Sequence, residues 1–281
     1  MTVKELLSHG RDILLENSVD NFINESRWIF ESVFKCNSDY LIFHSEDIAD
    51  SEKASEFLEK IKKRVSGDPV QYVIGEWDFY GETFFVGEGV LIPRPETELL
   101  IDFASDYLKD KKNPVVFDLC SGSGCIGLTV AKLFPAAKVF LLEKSDEALK
   151  YLLKNKERLS ASNAHVIHGD LFDGFGLFNL PNPDLILSNP PYINSDEISA
   201  LQPEVLREPV IALDGGIDGL DFYKAITDKW LNNCGGAIAV ECGEGQADDI
   251  SKLFSFQCSD ISFVTDFNGI ERVVIGRKDK Q

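Results

Sequence analysis

The sequence predicts an α/β fold in which a doubly wound, mostly parallel sheet follows a small helical domain. From Val3 to about Gly67, apolar residues recur at helical spacing. Between Tyr72 and Ile92, aromatic and β-branched residues interrupted by glycines indicate one or two β-hairpins. After Pro95, short apolar strands alternate with amphipathic helices. This alternation is typical of a parallel sheet covered by helices on both faces.

The order of elements follows from this alternation. Beyond the first helix, over about 96–109, strands are predicted over 115–119, 138–142, 165–168, 185–187 and 237–241, helices over 126–133, 146–155, 222–231 and 247–254, and two last strands near 261–266 and 272–275. We divide the chain into a helical N-terminal domain (1–72), a β-hairpin linker (73–93) and a second domain (94–281). In such a sheet a ligand lies beyond the carboxyl ends of the strands, so residues at strand ends are the candidates for a site.

Composition argues against several classes of function. The chain has no apolar run long enough to span a membrane and no secretion signal, so we expect a cytoplasmic protein without a membrane partner. The 28 basic and 47 acidic residues leave a formal charge of -19, which argues against direct nucleic-acid binding. The dense basic run at 60–64 ends a predicted helix, where cations complement the helix dipole.

The cysteines give no sign of a metal site. They are scattered, without Cys-x-x-Cys spacing or histidines at zinc-finger distances. We expect reduced, mostly buried thiols and no bound metal. The residues concerned are Cys36, Cys120, Cys125, Cys234, Cys242 and Cys258.

The segment after the first strand of the sheet has the spacing of a nucleoside-binding loop. Gly122, Gly124 and Gly127 follow the strand and open a helix, in the pattern G-x-G-x-x-G. The missing side chains permit a tight turn and a close approach of the backbone to a ligand. Glu143 follows 21 positions after Gly122 at the end of the second strand, where it can accept both ribose hydroxyl hydrogens. Loop and acid together predict nucleoside binding.

Neighbouring carboxylates bear on which nucleoside cofactor binds, because a nicotinamide dinucleotide would use the same loop and acid. Asp118 leads into the loop, where it is unfavourable near a pyrophosphate but suits the ammonium group of S-adenosylmethionine, directly or through water. Asp170, past the third strand, can accept from an adenine amino group of either cofactor, or can cap a turn. Leu171 can pack on the adenine ring or in the core. The set favours S-adenosylmethionine.

The tetrapeptide Asn189-Pro190-Pro191-Tyr192 follows the fourth strand and carries the predicted chemistry. Its prolines remove backbone donors and fix φ, so the chain leaves the strand as a rigid extended loop. The side-chain oxygen of Asn189 and the carbonyl oxygen of Pro190 can then accept both hydrogens of one NH2 group, while Tyr192 stacks on the flat group that carries it. These two hydrogen bonds orient the NH2 group of an amide or aromatic amine so that its delocalised lone pair points toward a methyl donor. No general base is needed.

Over nearly its whole length the chain resembles the HemK-type peptide-chain release factor glutamine N5-methyltransferases. The tetrapeptide alone is shared with adenine and cytosine amino-methyltransferases, whereas the full set of motifs is more specific. The matching motifs are Pro69-Val70-Gln71-Tyr72 with Gly75, Phe79-Tyr80-Gly81, the run from Leu91 to Glu98, the glycine loop, the tetrapeptide, Arg207-Glu208-Pro209, Ala212-Leu213 with the run from Gly215 to Leu220, Glu241 with Gly243 and Gln246, and Asp266 with Gly269 and Arg272.

The resemblance implies a class I (Rossmann-like) S-adenosylmethionine-dependent methyltransferase domain whose last strand is antiparallel, and an N-terminal domain that helps to dock a protein substrate. The implied substrate is the glutamine of the Gly-Gly-Gln motif in class 1 release factors. Residues implied to contact the cofactor are Cys120, Ser121, Gly122, Ser123, Gly124, Glu143, Leu171 and Asn189. Those implied to bind the glutamine amide are Asn189, Pro190, Pro191 and Tyr192, with Arg94, Glu96 and Glu98 at the rim of the pocket. We take Asn189, Pro190 and Tyr192 as catalytic.

Two positions depart from the family pattern. Cys120-Ser121 stands where the family commonly has glycine with a small hydroxyl residue, and Cys242 occupies a slot usually held by an aliphatic residue. Neither change removes a donor or acceptor that the predicted chemistry needs.

Other functions stay open at this point. A sister family that methylates a glutamine of a ribosomal protein shares the helical N-terminal domain and the run at 93–98. A nucleic-acid amino-methyltransferase shares the tetrapeptide, but the charge balance and the lack of an evident target-recognition domain disfavour it. A nicotinamide-dependent oxidoreductase would leave the tetrapeptide unexplained and lacks a Tyr-x-x-x-Lys pair. A non-catalytic partner protein would have no need of intact site residues.

Overall fold

The computed structural model describes residues 1–279 and contains two compact units. The first unit comprises Met1–Glu76 together with the short segment Gln202–Arg207. The second comprises Trp77–Leu201 and the chain from Glu208 onward. The first unit therefore extends slightly beyond residue 72, and it includes a segment that no sequence pattern had set apart.

The first unit is helical and has its own core. Gly10 permits close packing, because a Cβ there would lie 2.5 Å from the ring of Phe57. Thr2 and Glu5 form a capping box at the start of the first helix, each side chain accepting the backbone N–H of the other. The helices are α1 (Val3–Glu16), α2 (Phe22–Phe34), α3 (Ser38–Phe43), α4 (Ser51–Val65) and α5 (Val70–Ile74). The predicted helical N-terminal domain is thus present.

A β-hairpin occupies the stretch where one or two were predicted. Strands β1 (Glu76–Phe79) and β2 (Glu82–Phe85) pair with each other. Tyr80 and Gly81 connect them with φ values of 49° and 76°. Positive φ at both central residues matches the twist of a tight hairpin turn.

Within residues 1–279, a seven-stranded sheet organises the second unit. Its order is β5-β4-β3-β6-β7-β9-β8, and β9 runs antiparallel to both of its neighbours. The strands are β3 (Val115–Leu119), β4 (Lys138–Glu143), β5 (Ala164–His168), β6 (Leu185–Ser188), β7 (Ala237–Glu241), β8 (Asp260–Thr265) and β9 (Glu271–Arg277). The predicted α/β fold with an antiparallel last strand is confirmed.

Helices cover both faces of this sheet. Successive strand residues point to opposite faces, so Val116 packs in one apolar cluster and Phe117 in the other. The helices are α6 (Glu98–Leu108), α7 (Cys125–Leu133), α8 (Asp146–Arg158), α9 (Asp221–Lys229) and α10 (Ala247–Phe254). None of the helices within residues 1–279 is long and apolar enough to cross a lipid bilayer.

The strand order places the two candidate motifs side by side. Strand β3 pairs in parallel with β4 on one side and with β6 on the other. The carboxyl ends of parallel strands meet at one edge of the sheet, so the glycine loop after β3 and the tetrapeptide after β6 emerge as neighbours.

Candidate active site

The chain after β3 turns sharply into α7. Cys120, Gly122 and Gly124 have left-handed backbone, with φ of 61°, 54° and 83°. Ser121 Oγ donates to the carbonyl of Asp118 at 2.8 Å and holds the start of the turn. The cysteine that departs from the family pattern therefore occupies a conformation that favours glycine, at some cost in backbone strain.

Glu143, at the end of β4, fastens this loop. Its Oε2 accepts the backbone N–H of Gly122 at 2.7 Å, and its Oε1 accepts that of Ser145 at 2.7 Å. The side chain is buried, and this burial raises the pKa of the carboxyl group. Each carboxylate oxygen has a second acceptor site. The group can therefore hold the loop and still accept the two hydroxyl hydrogens of a ribose.

The other two carboxylates predicted for the cofactor differ in their surroundings. Asp118 is fully buried and accepts the N–H of Gly127 at 2.9 Å, while its Oδ1 has no hydrogen-bond partner within residues 1–279. Burial raises the pKa of Asp118 to about 7. Asp170 pairs with Lys144 at 2.7 Å and accepts the N–H of Phe172 at 2.9 Å. Asp170 thus caps a short helix, the alternative that the sequence had left open, and it also lines the cavity described next.

A cavity at the carboxyl edge of the sheet brings most of the predicted site residues together. Those that line it are Cys120, Ser121, Gly122, Ser123, Glu143, Asp170, Leu171, Asn189 and Pro191. Arg94, Asp118, Gly124, Pro190 and Tyr192 are not among its lining residues. Apolar walls and carboxylate acceptors suit an adenosine group, because the base can pack on Leu171 and the ribose can donate to Glu143.

Asn189 lies directly after β6 and contacts one buried polar side chain, that of Thr97. Its Nδ2 donates to Thr97 Oγ1 at 3.1 Å, and Thr97 Oγ1 donates to Glu241 Oε2 at 2.5 Å. Thr97 is 1% exposed and Glu241 is 2% exposed. Burial raises the pKa of Glu241 to about 7. Asn189 therefore lines the cavity while the NH2 group of its side chain is hydrogen-bonded to Thr97.

Tyr192 forms hydrogen bonds through its backbone carbonyl and through its side-chain hydroxyl. Gln246 Nε2 donates to the carbonyl oxygen of Tyr192 at 2.9 Å, and Gln246 Oε1 accepts the N–H of Gly243 at 2.9 Å. A Cβ at Gly219 would lie 2.4 Å from the same carbonyl oxygen. The Tyr192 hydroxyl donates to Glu241 Oε1 at 3.4 Å, and burial raises its pKa. The tetrapeptide is thus clamped into one conformation.

Arg94 and Glu98, which were predicted at the rim of the pocket, contact neighbouring parts of the chain. Glu208, whose side chain is 2% exposed, pairs with Arg94 and accepts the N–H of Ile92 at 2.9 Å. Glu98 accepts the N–H of Tyr80 at 2.7 Å. These contacts fix the chain on either side of Thr97, and a rim role toward substrate stays a prediction.

Sequence reasoning gave no role to Thr97, Glu241 or Gln246. Each appeared only within a motif that carried the family resemblance. One signal was available for Glu241, which is a carboxylate at the end of an apolar strand, the same position that singled out Glu143. Thr97 and Gln246 carry no comparable local signal, because their contacts with Asn189 and Tyr192 join residues that are distant in sequence.

Comparisons with known proteins identify the families that this chain resembles. Residues 5–75 match the PrmC N-terminal domain family, and residues 96–215 match the methyltransferase small domain family. A release factor glutamine methyltransferase from Thermodesulfovibrio yellowstonii is 40% identical over 269 residues, which covers 92% of this chain and 93% of the relative. Another from Geobacter sulfurreducens is 36% identical over 281 residues, covering 98% of this chain and 96% of the relative.

Solved structures with low sequence identity to this chain share its fold. The hMettl16 catalytic domain, in complex with MAT2A 3'UTR hairpin 6, has a TM-score of 0.57 at 13% identity and covers 81% of this chain and 82% of that chain. A methyltransferase from Pyrococcus furiosus has a TM-score of 0.50 at 16% identity and covers 82% of this chain and 99% of that chain. Identities this low show the fold alone.

Proposed function

Because the chain belongs to the release factor glutamine methyltransferase family, we propose that it methylates the glutamine side-chain amide nitrogen in the Gly-Gly-Gln motif of class 1 peptide-chain release factors. S-adenosylmethionine is the cofactor. The observation that carries the proposal is the shared cavity, which Glu143 lines at its cofactor end and Asn189 at its catalytic end.

At the cofactor end, this chain supplies shape and acceptors. We assign ribose binding to Glu143, contact with the adenine base to Leu171 and Asp170, and close backbone approach to the loop from Cys120 to Gly124. A Cβ at Gly122 would meet nothing within 4 Å, so backbone rather than side chain faces the open space there. S-adenosylmethionine supplies an electrophilic methyl group.

At the catalytic end, orientation compensates for a poor nucleophile. The lone pair of an amide nitrogen is delocalised into the carbonyl group. Asn189 Oδ1 and the Pro190 carbonyl oxygen are proposed to accept the two amide hydrogens, while Tyr192 stacks on the amide plane. Fixing both hydrogens favours a geometry in which the lone pair faces the methyl group, whose bond to sulfur would break as its bond to nitrogen forms; the nitrogen would then release one proton to water.

A protein substrate suits the charge of this chain better than a nucleic acid. The formal charge of -19 opposes binding to a phosphate backbone. We therefore propose that the helical N-terminal unit helps to dock the release factor, that direct nucleic-acid binding is not part of the function, and that the protein acts in the cytoplasm during translation termination.

The test is methyl transfer from labelled S-adenosylmethionine. The purified protein is incubated separately with a release factor, with the same factor carrying alanine in place of the Gly-Gly-Gln glutamine, with ribosomal proteins and with duplex DNA. We expect label on the unmodified release factor alone. Label on a ribosomal protein or on DNA would keep the chemistry and reassign the substrate, and no label on any of them would contradict the proposed function.

A further inference from the structure

Three polar side chains from separate elements form one hydrogen-bonded chain at the catalytic end of the cavity. Glu241 ends β7, Thr97 ends the short helix before α6, and Asn189 follows β6. The distances are 2.5 Å from Thr97 Oγ1 to Glu241 Oε2 and 3.1 Å from Asn189 Nδ2 to Thr97 Oγ1. The mechanism proposed above uses Asn189 and does not use the other two.

The direction of these hydrogen bonds can be derived from chemistry. When Glu241 is ionised, both of its carboxylate oxygens can only accept, so Oε2 accepts the hydroxyl hydrogen of Thr97. Thr97 has one hydroxyl hydrogen, and it is committed to Glu241. The remaining lone pairs of Thr97 can only accept, so Asn189 must turn its NH2 group toward Thr97. Its Oδ1 is then left to accept from the substrate.

Burial makes this direction costly to reverse. Thr97 is 1% exposed and Glu241 is 2% exposed. If the amide of Asn189 were flipped, its oxygen would face the lone pairs of Thr97 and its NH2 group would face the donor hydrogens of the substrate amide. Both contacts would lack a matching donor or acceptor, which burial penalises.

The same carboxylate also contacts the second substrate-binding side chain. Glu241 Oε1 lies 3.4 Å from the Tyr192 hydroxyl. One buried acid at the end of β7 thus acts on Tyr192 directly and on Asn189 through Thr97.

We propose that Thr97 and Glu241 are positioning residues that fix the amide of Asn189 so that its oxygen faces the nitrogen to be methylated. This proposal rests on the proposed function, since it takes an NH2-bearing substrate as given. It assigns neither residue a contact with substrate or cofactor.

The first test changes the hydroxyl of Thr97. Thr97→Val keeps the shape and removes the hydroxyl, and Thr97→Ser keeps the hydroxyl. We expect Thr97→Val to lower kcat by roughly tenfold or more, with little change in KM for S-adenosylmethionine, and Thr97→Ser to stay within about threefold of wild type. The matched control is Thr129→Val, because Thr129 is 2% exposed and its hydroxyl has no hydrogen-bond partner within residues 1–279. Equal kcat for Thr97→Val and Thr97→Ser would overturn the proposal.

A double-mutant comparison tests whether Thr97 acts through Asn189 in the hydrogen-bonded series Glu241–Thr97–Asn189, which we call the relay. In an Asn189→Ala background, Thr97→Val should cause no further loss of kcat, because the amide that it orients is gone. A full additional loss would assign Thr97 an independent role and overturn the relay. The conservative variant Glu241→Gln should keep most of kcat, since its amide oxygen can still accept from Thr97, whereas Glu241→Leu should lose it. This second pair tests the relay if Thr97→Val fails to fold.

A readout without turnover separates this proposal from the proposed function. The side-chain NH2 signal of Asn189 in an NMR spectrum is assigned by its loss in Asn189→Ala. We expect slow hydrogen exchange of this group in wild type and in Thr97→Ser, and at least roughly tenfold faster exchange in Thr97→Val. Equal exchange in all three would contradict the relay even if the wild type methylates the release factor. The expected pattern in a protein that methylates no release factor would support the relay and reject the substrate.

Discussion

Glu143 Oε2 accepts the backbone N–H of Gly122 at 2.7 Å, so the acid proposed to bind ribose also holds the loop that would surround the cofactor. We expect Glu143→Ala to weaken S-adenosylmethionine binding by about 1 to 3 kcal/mol, because the ribose acceptors and the fastening of the loop are lost together. Calorimetric titration measures this change. Glu157→Ala on the exposed face of α8 is the control, and unchanged affinity in Glu143→Ala would place the ribose elsewhere.

Sequence spacing could single out both residues, though not the contact between them, because both belong to one βαβ unit of known geometry. The contact between Asn189 and Thr97 joins residues 92 positions apart, and no periodicity links them. The same holds for Gln246 and Tyr192, which are 54 positions apart. Strand ends and turn residues are local properties of the sequence, whereas the buried partners of the site depend on which elements the sheet brings together.

Asn189 is expected to govern turnover rather than cofactor binding. Asn189→Ala removes one of the two acceptors for the amide hydrogens, so kcat should fall by roughly a hundredfold or more. Affinity for S-adenosylmethionine should be largely spared. The measurement is initial-rate kinetics with a release factor, with the exposed Asn232→Ala as control. Near wild-type turnover in Asn189→Ala would refute its role.

Gly219 is expected to be essential for the conformation of the tetrapeptide. Its φ is 68°, and a Cβ there would lie 2.4 Å from the carbonyl oxygen of Tyr192, the atom that Gln246 also binds. Gly219→Ala should therefore displace Tyr192 and lower kcat by about tenfold or more. Gly269→Ala is the matched control, since Gly269 has a φ of 80° and a Cβ there would meet nothing within 4 Å. Equal kinetics in the two variants would show that the clash is relieved without moving the loop.

Asp118 should make folding stability depend on pH. Burial raises its pKa from 3.8 to about 7, so between these values the folded state retains a proton that the unfolded state has lost. The free energy of unfolding should therefore fall as the pH rises through this window, by up to about 4 kcal/mol. Asp118→Asn should remove this contribution and keep an acceptor for Gly127. Burial also raises the pKa of Glu241, and this contribution is present in both wild type and Asp118→Asn. Denaturant titrations therefore compare these two proteins at each pH. Parallel pH profiles would show that the pKa of Asp118 is the same in the folded and the unfolded protein.

The N-terminal unit contains a buried ion pair between Glu25 of α2 and Arg64 of α4. Their side chains are 8% and 6% exposed, so removal of one partner leaves a charge that water reaches poorly. Glu204, which is 46% exposed, is also paired with Arg64 and compensates only in part. Glu25→Ala should therefore destabilise this unit by about 3 kcal/mol.

Replacing both charged residues separates two contributions to the free energy of unfolding: the cost of an unpaired buried charge and the stabilisation that the ion pair itself provides. The double variant Glu25→Leu with Arg64→Met should recover much of the stability lost in Glu25→Ala, because apolar side chains of similar volume carry no desolvation penalty. Hydrogen exchange of the backbone amides in α1, α2 and α4 reports on this unit separately from the sheet. If the double variant is as unstable as Glu25→Ala, the pair itself stabilises the unit, since filling the site with apolar volume then fails to replace it.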